Sequence, residues 1–114
     1  MIHELNEIEL AILHRVAAKH PSLNEHIPHL RVRDRVYTGV GMYINFVYVN
    51  LQHKPISASL NNATISTNER IMLSELEYGL CYEVNITAGR IKFIELVTYG
   101  EEWNGKFDNQ ISFK

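Results

Sequence analysis

Chemistry in a chain of 114 residues is sought first among its six histidines, its single cysteine and its thirteen acidic side chains. His26 and His29 stand three apart with His20 just before them, and neutral imidazole is a common zinc ligand. Pro28 lies between the pair, however, and no cysteine or carboxylate cluster completes a familiar ligand spacing. His3 and His14 share a helix face but stand about 16 Å apart at 1.5 Å per residue, too far for one ion. No metal and no cofactor is expected. Cys81 sits in the middle of an apolar strand pattern without a local nucleophile signature, and it reads as a small hydrophobe. Gly39-Val40-Gly41 lacks the third glycine of a dinucleotide fingerprint and the Lys-Ser/Thr of a P-loop, so its glycines serve the backbone. Glu95 falls on the expected inner face of a strand opposite Tyr82, where a carboxylate is either paired or poised as a general acid or base.

Charge adds a second kind of candidate. Arg31, Arg33 and Arg35 form a short basic stripe that Asp34 interrupts, within a chain of net charge −2. That balance excludes a strongly basic nucleic-acid clamp, and no direct nucleic-acid contact is expected. Residues 69–102 instead carry seven glutamates (Glu69, Glu75, Glu77, Glu83, Glu95, Glu101 and Glu102) against Arg70, Arg90 and Lys92, a local net of −4. An acidic surface of that kind suits a basic partner.

The elements that must hold these groups follow from hydrophobic periodicity. Leu5, Ile8, Ile12, Leu13 and Val16 predict an amphipathic helix over residues 4–19, stopped by Pro21. Pro21 to His29 reads as a polar connector. From Leu30 the period becomes two, with Leu30, Val32 and Val36 inward and the arginines outward. Thr38 to Gly41 marks a turn or kink, and Met42 to Asn50 a long strand. Short strands are expected at Ile56 to Leu60, at the sheet edge, and at Ala63 to Thr67. Asn68 to Glu77 has room for a helical turn, and Ile111 to Phe113 for a last strand. Residues 79–99 predict a hairpin turning on Ala88-Gly89, in which Ile86 faces Ile91, Val84 faces Phe93 and Leu80 faces Val97. Cys81, Ile94 and Leu96 then share the opposite face.

These elements predict one α+β domain over residues 1–114. One N-terminal helix packs on a mainly antiparallel, twisted sheet of five or six strands. A lone cysteine fits a reducing, cytoplasmic setting, and the N-terminus lacks the basic start and apolar run of a signal peptide. The longest apolar-rich stretch, Val40 to Val49, is too short to span a bilayer, so no membrane partner is expected.

Two segments resemble small bacterial proteins together. Arg35-Val36-Tyr37-Thr38-Gly39-Val40-Gly41-Met42-Tyr43 is similar to an Arg-x-(Phe/Tyr)-Thr-Gly-Val-Gly segment followed by an aromatic or large apolar residue. Leu80 through Trp103 resembles their C-terminal hairpin and its exit, with Gly89-Arg90-Ile91, Ile94-Glu95 and Thr98-Tyr99-Gly100-Glu101-Glu102-Trp103. Ala88 stands where a turn former such as Asp is expected, and Met42 where Phe is expected. In size and make-up such proteins resemble the immunity proteins of polymorphic and contact-dependent growth inhibition systems. The resemblance implies a bacterial inhibitor that occludes a cognate protein toxin, plausibly a basic nuclease, and is not itself an enzyme. The expected contact residues are Glu75, Glu77, Glu101, Glu102, Trp103 and Asp108, gathered at the open end of the hairpin with Trp103 as anchor, unless Trp103 instead caps the core and the glutamates are only solvated. The alternative is a small enzyme using Glu95 or a histidine in a cavity of the curved sheet.

Overall fold

The computed structural model describes residues 2–50, 55–107 and 110–114. Helix α1 runs Glu7–Lys19 and buries Ile8, Ile12, Leu13, Val16 and Ala17 against the sheet. It starts three residues later than periodicity alone predicts, because Asn6 and Glu9 form a capping box. Asn6 Oδ1 accepts from the Glu9 N–H at 3.0 Å, and Glu9 Oε1 accepts from the Asn6 N–H at 2.8 Å. The expected polar connector is instead two 3₁₀ turns, Pro21–Leu23 and Ile27–His29, that bury Leu23, His26 and Ile27.

Among the described residues the sheet has seven strands. They are β1 (Leu30–Tyr37), β2 (Gly41–Tyr48), β3 (Ala63–Ile65), β4 (Ile71–Met72), β5 (Leu80–Thr87), β6 (Arg90–Thr98) and β7 (Ser112–Phe113). Every pairing is antiparallel, in the order β1-β2-β6-β5-β4-β7, with β3 also pairing β5. One helix on an antiparallel sheet is the α+β arrangement that the strand alternation predicts. Two local expectations fail. The edge strand at Ile56 to Leu60 is replaced by a 3₁₀ turn at Ala58–Leu60, and the helical turn within residues 68–77 by β4 and a loop. The first of these segments clasps the β5–β6 turn instead of extending the sheet: the Ile56 N–H donates to Gly89 O at 2.9 Å and the Ala88 N–H to Asn62 Oδ1 at 3.1 Å.

The hairpin turns on Ala88-Gly89 as expected, both residues having positive φ (52° and 74°), the pattern of a type I′ turn. Ile86 faces Ile91, but the register then slips by one residue. Asn85 faces Phe93, Val84 faces Ile94 and Leu80 faces Thr98, leaving Lys92 as the extra residue of a β-bulge. The bulge reverses the face of everything after it. Ile94 and Leu96 enter the core, while Phe93, Glu95 and Val97 move to the face away from the helix. The expected inner-face position of Glu95 is therefore corrected.

A second bulge acts on β1. Val32 faces Phe46 and Asp34 faces Asn45, with Arg33 left between them. Arg35 thereby turns inward beside Ile44, and Val36 turns out to solvent, where the uninterrupted pattern places them the other way. Inside, Arg35 meets the buried Glu9 carboxylate in a bidentate pair, Nε to Oε2 at 2.7 Å and Nη2 to Oε1 at 2.9 Å. That carboxylate strengthens the hold of Arg35 on its proton. Arg31 and Arg33 pair as well, with Glu4 and Asp34, each at 3.2 Å. The basic stripe is thus neutralised residue by residue.

Candidate functional site

The end of the sheet where β1, β2, β5 and β6 meet is built by turns that fasten to one another. Gly39, with φ +91°, lets the chain reverse between β1 and β2, and the Thr38 N–H donates to Gly41 O at 3.1 Å. Gly41 allows β2 to approach β6, since a Cβ there would lie 2.1 Å from Leu96 O. Val40 O accepts from the Thr98 N–H at 2.8 Å, and Gly39 O from the Trp103 N–H at 3.0 Å. The exit from β6 is held by Thr98 Oγ1, which donates to Glu101 O at 2.6 Å. Residues 35–43 and the 98–103 exit of the hairpin therefore converge here, while the Ala88-Gly89 turn lies at the opposite end of the sheet.

The sequence-expected contact residues separate into different roles on this frame. Glu75, Glu102 and Trp103 line one open hollow of about 610 Å³, together with Gly39, Val40 and Asn104. Glu75, Glu77 and Glu102 are exposed. Glu101 is committed to the backbone, accepting from the Glu77 N–H at 2.9 Å and the Tyr78 N–H at 3.0 Å, which ties the approach to β5 to the exit from β6. Trp103 is not a projecting anchor: it is only 6% exposed, and its Nε1–H donates to Lys106 O at 2.8 Å. The indole floors the hollow and seals the core beneath it. Asp108 lies outside the described residues.

Tyrosines supply the apolar contact area that the sequence pattern did not reveal. Tyr37, Val40, Tyr78 and Tyr99 are all more than 40% exposed at this end of the sheet. Tyr37 lies over Gly105, where a Cβ would come within 1.8 Å of its ring. Tyr99 carries the Arg70 guanidinium 4.3 Å from its centroid, and Arg70 Nη1 reaches Tyr78 O at 3.4 Å. The only sequence signal was their place, each beside a turn or a strand end.

Of the other chemical candidates, His26, Cys81 and Glu95 do not line the hollow. His26 is fully buried, with Nδ1 3.0 Å from the Tyr48 hydroxyl, which also accepts from the Ile91 N–H at 2.7 Å. Burial pushes the Tyr48 phenol up to about 12. Cys81 is half-buried and donates to Val97 O at 3.4 Å. Glu95 lies on the face away from the helix, where its carboxylate raises the pKa of the nearby Tyr43 phenol. Among the described residues no group of three His, Cys, Asp or Glu side chains could hold a metal ion, and no helix is long and apolar enough to cross a membrane.

Fold and site together define a small α+β protein with acidic and tyrosine side chains at one end of its sheet. No protein-family model, curated protein or solved structure matches the chain.

Proposed function

We propose that the chain is a binding protein of the immunity type, which seats a cognate protein toxin with a basic contact surface and covers the toxin's active site. A nuclease, whose site must attract phosphates, is the class of toxin that best meets an acidic inhibitor. The observation that carries this reading is the convergence of Tyr37, Tyr78 and Tyr99 with Glu75, Glu77 and Glu102 at one end of a fastened frame. Tyrosine gives large contact area at little cost in rotamer entropy and is enriched among residues that dominate binding energy. Exposed carboxylates around it steer a basic partner and reject acidic ones. The resemblance of residues 35–43 and 80–103 to immunity-type proteins supports the same reading, since residues 35–43 and the 98–103 exit lie at this end.

Protection of growing cells tests the reading. The chain is co-expressed with the toxin domain encoded immediately beside its gene, and complex formation is followed by co-purification. The expected result is protection by the wild type, and loss of both protection and complex in Glu75→Lys/Glu102→Lys at an unchanged melting temperature. A neighbouring gene with no toxic product, or full protection by the double variant, overturns it.

A further inference from the structure

The helix covers one face of the sheet, and on the other face β5 and β6 set Glu83 directly opposite Glu95. Like charges facing each other across an antiparallel pair weaken it. Among the described residues no cation within 4.0 Å relieves either carboxylate: the ion pairs there engage Glu4, Glu9, Asp34 and Glu69. The nearby Tyr43 hydroxyl, whose pKa the Glu95 carboxylate raises, is neutral and leaves both negative charges in place. Tyr43 and Phe93 meet edge to face beside the pair, with centroids 5.7 Å apart and planes at 67°. Both rings are only half-buried, and they lie on the face away from the helix.

A face with an aromatic platform and two unrelieved carboxylates complements one kind of group. A guanidinium binds carboxylates through parallel N–H donors and stacks on aromatic rings, so a single arginine satisfies both features. We infer that the uncovered sheet face is a docking surface for a basic polypeptide segment, one of whose arginines enters between Glu83 and Glu95 against Tyr43. Charge complementarity between the carboxylates and a guanidinium assigns the occupant, whether or not the end of the sheet seats a toxin. Water and salt screen the repulsion between the two glutamates in the free protein, and the partner's cation removes what is left of it in the complex.

The probe is a short glycine–arginine peptide, compared with the same peptide carrying citrulline, titrated into the labelled protein and followed by amide and aromatic NMR shifts. The expected perturbations fall on Tyr43, Glu83, Phe93 and Glu95, are absent with citrulline, and weaken about tenfold in Glu83→Gln/Glu95→Gln. A second variant reads the repulsion itself. Glu83→Lys should raise the melting temperature by about 1–5 °C by creating a cross-strand pair, while abolishing the peptide shifts. Equal shifts with citrulline, shifts centred on Glu75 and Glu102, or a lowered melting temperature in Glu83→Lys each overturn the inference. A doubled mass in sedimentation that returns to the monomer value in Glu83→Gln/Glu95→Gln also overturns it, by giving the face to a second copy of the chain.

Discussion

Glu9 is the residue on which the most local structure depends. One carboxylate closes the capping box of α1 and holds Arg35 from β1, so it fixes both where the helix begins and how it sits on the sheet. The carboxylate is fully buried, while the Arg35 side chain keeps 23% of its surface in water. Removing the acid leaves a partly buried guanidinium without its counter-charge and a helix without its box. Glu9→Ala should therefore cost about 3 kcal/mol in urea denaturation, toward the low end for a broken buried pair because Arg35 retains some solvent. Glu7→Ala, one turn position away on the exposed side, should stay within about 0.5 kcal/mol of wild type. Equal losses at the two positions would show that Glu9 acts only through first-turn charge. The Asn6-to-Glu9 spacing is that of a capping box, but periodicity alone passes over it and begins the helix at residue 4. The Arg35 partnership was not legible in the sequence, since it spans 26 residues and requires an arginine to face inward.

The inward arginine is a property of an element, and two elements here share its cause. Alternation reads inside from outside only while the pleat is unbroken, and one extra residue reverses every side chain beyond it. Helix, hairpin and turn were legible because each rests on short-range chemistry: a 3.6-residue stripe, two apolar strands, and Ala88-Gly89 between them. The bulges at Arg33 and Lys92 were not, because each is decided by which neighbouring-strand residues pack best across the whole sheet. Near Lys92 the choice was between burying Phe93 with Glu95 and burying Ile94 with Leu96. The second avoids a buried carboxylate. A pair of substitutions reads the outcome. Ile94→Ala should cost about 2–5 kcal/mol, as a fully buried branched side chain does. Phe93→Ala should cost about 1 kcal/mol, chiefly its edge-to-face contact with Tyr43. Thermal or urea melts in which Phe93→Ala proves the worse of the two would restore the unbroken register.

At the scale of the whole molecule, the acidic bias between residues 69 and 102 was visible in composition, but its division into separate surfaces was not. The fold places Glu83 and Glu95 on the open sheet face, Glu75, Glu77 and Glu102 at the sheet's end, and Glu69 in an ion pair with Arg15 at 2.8 Å. Glu101 is set apart again by its backbone bonds, and reversing its charge would break two hydrogen bonds as well as alter the field. A clean test of steering thus changes Glu75 and Glu102 and leaves Glu101 alone. Long-range attraction acts on encounter, within a screening length of about 10 Å at 0.1 M salt, whereas packed tyrosines act on dissociation. Stopped-flow association of Glu75→Lys/Glu102→Lys with the toxin should accordingly be slower at low salt, by about tenfold, and should depend less steeply on ionic strength than the wild type. Tyr99→Ala should leave that salt dependence intact and speed dissociation. If the double variant keeps the wild-type association rate at low salt, the glutamates at this end are solvated bystanders, and the proposed seating of a basic toxin here fails.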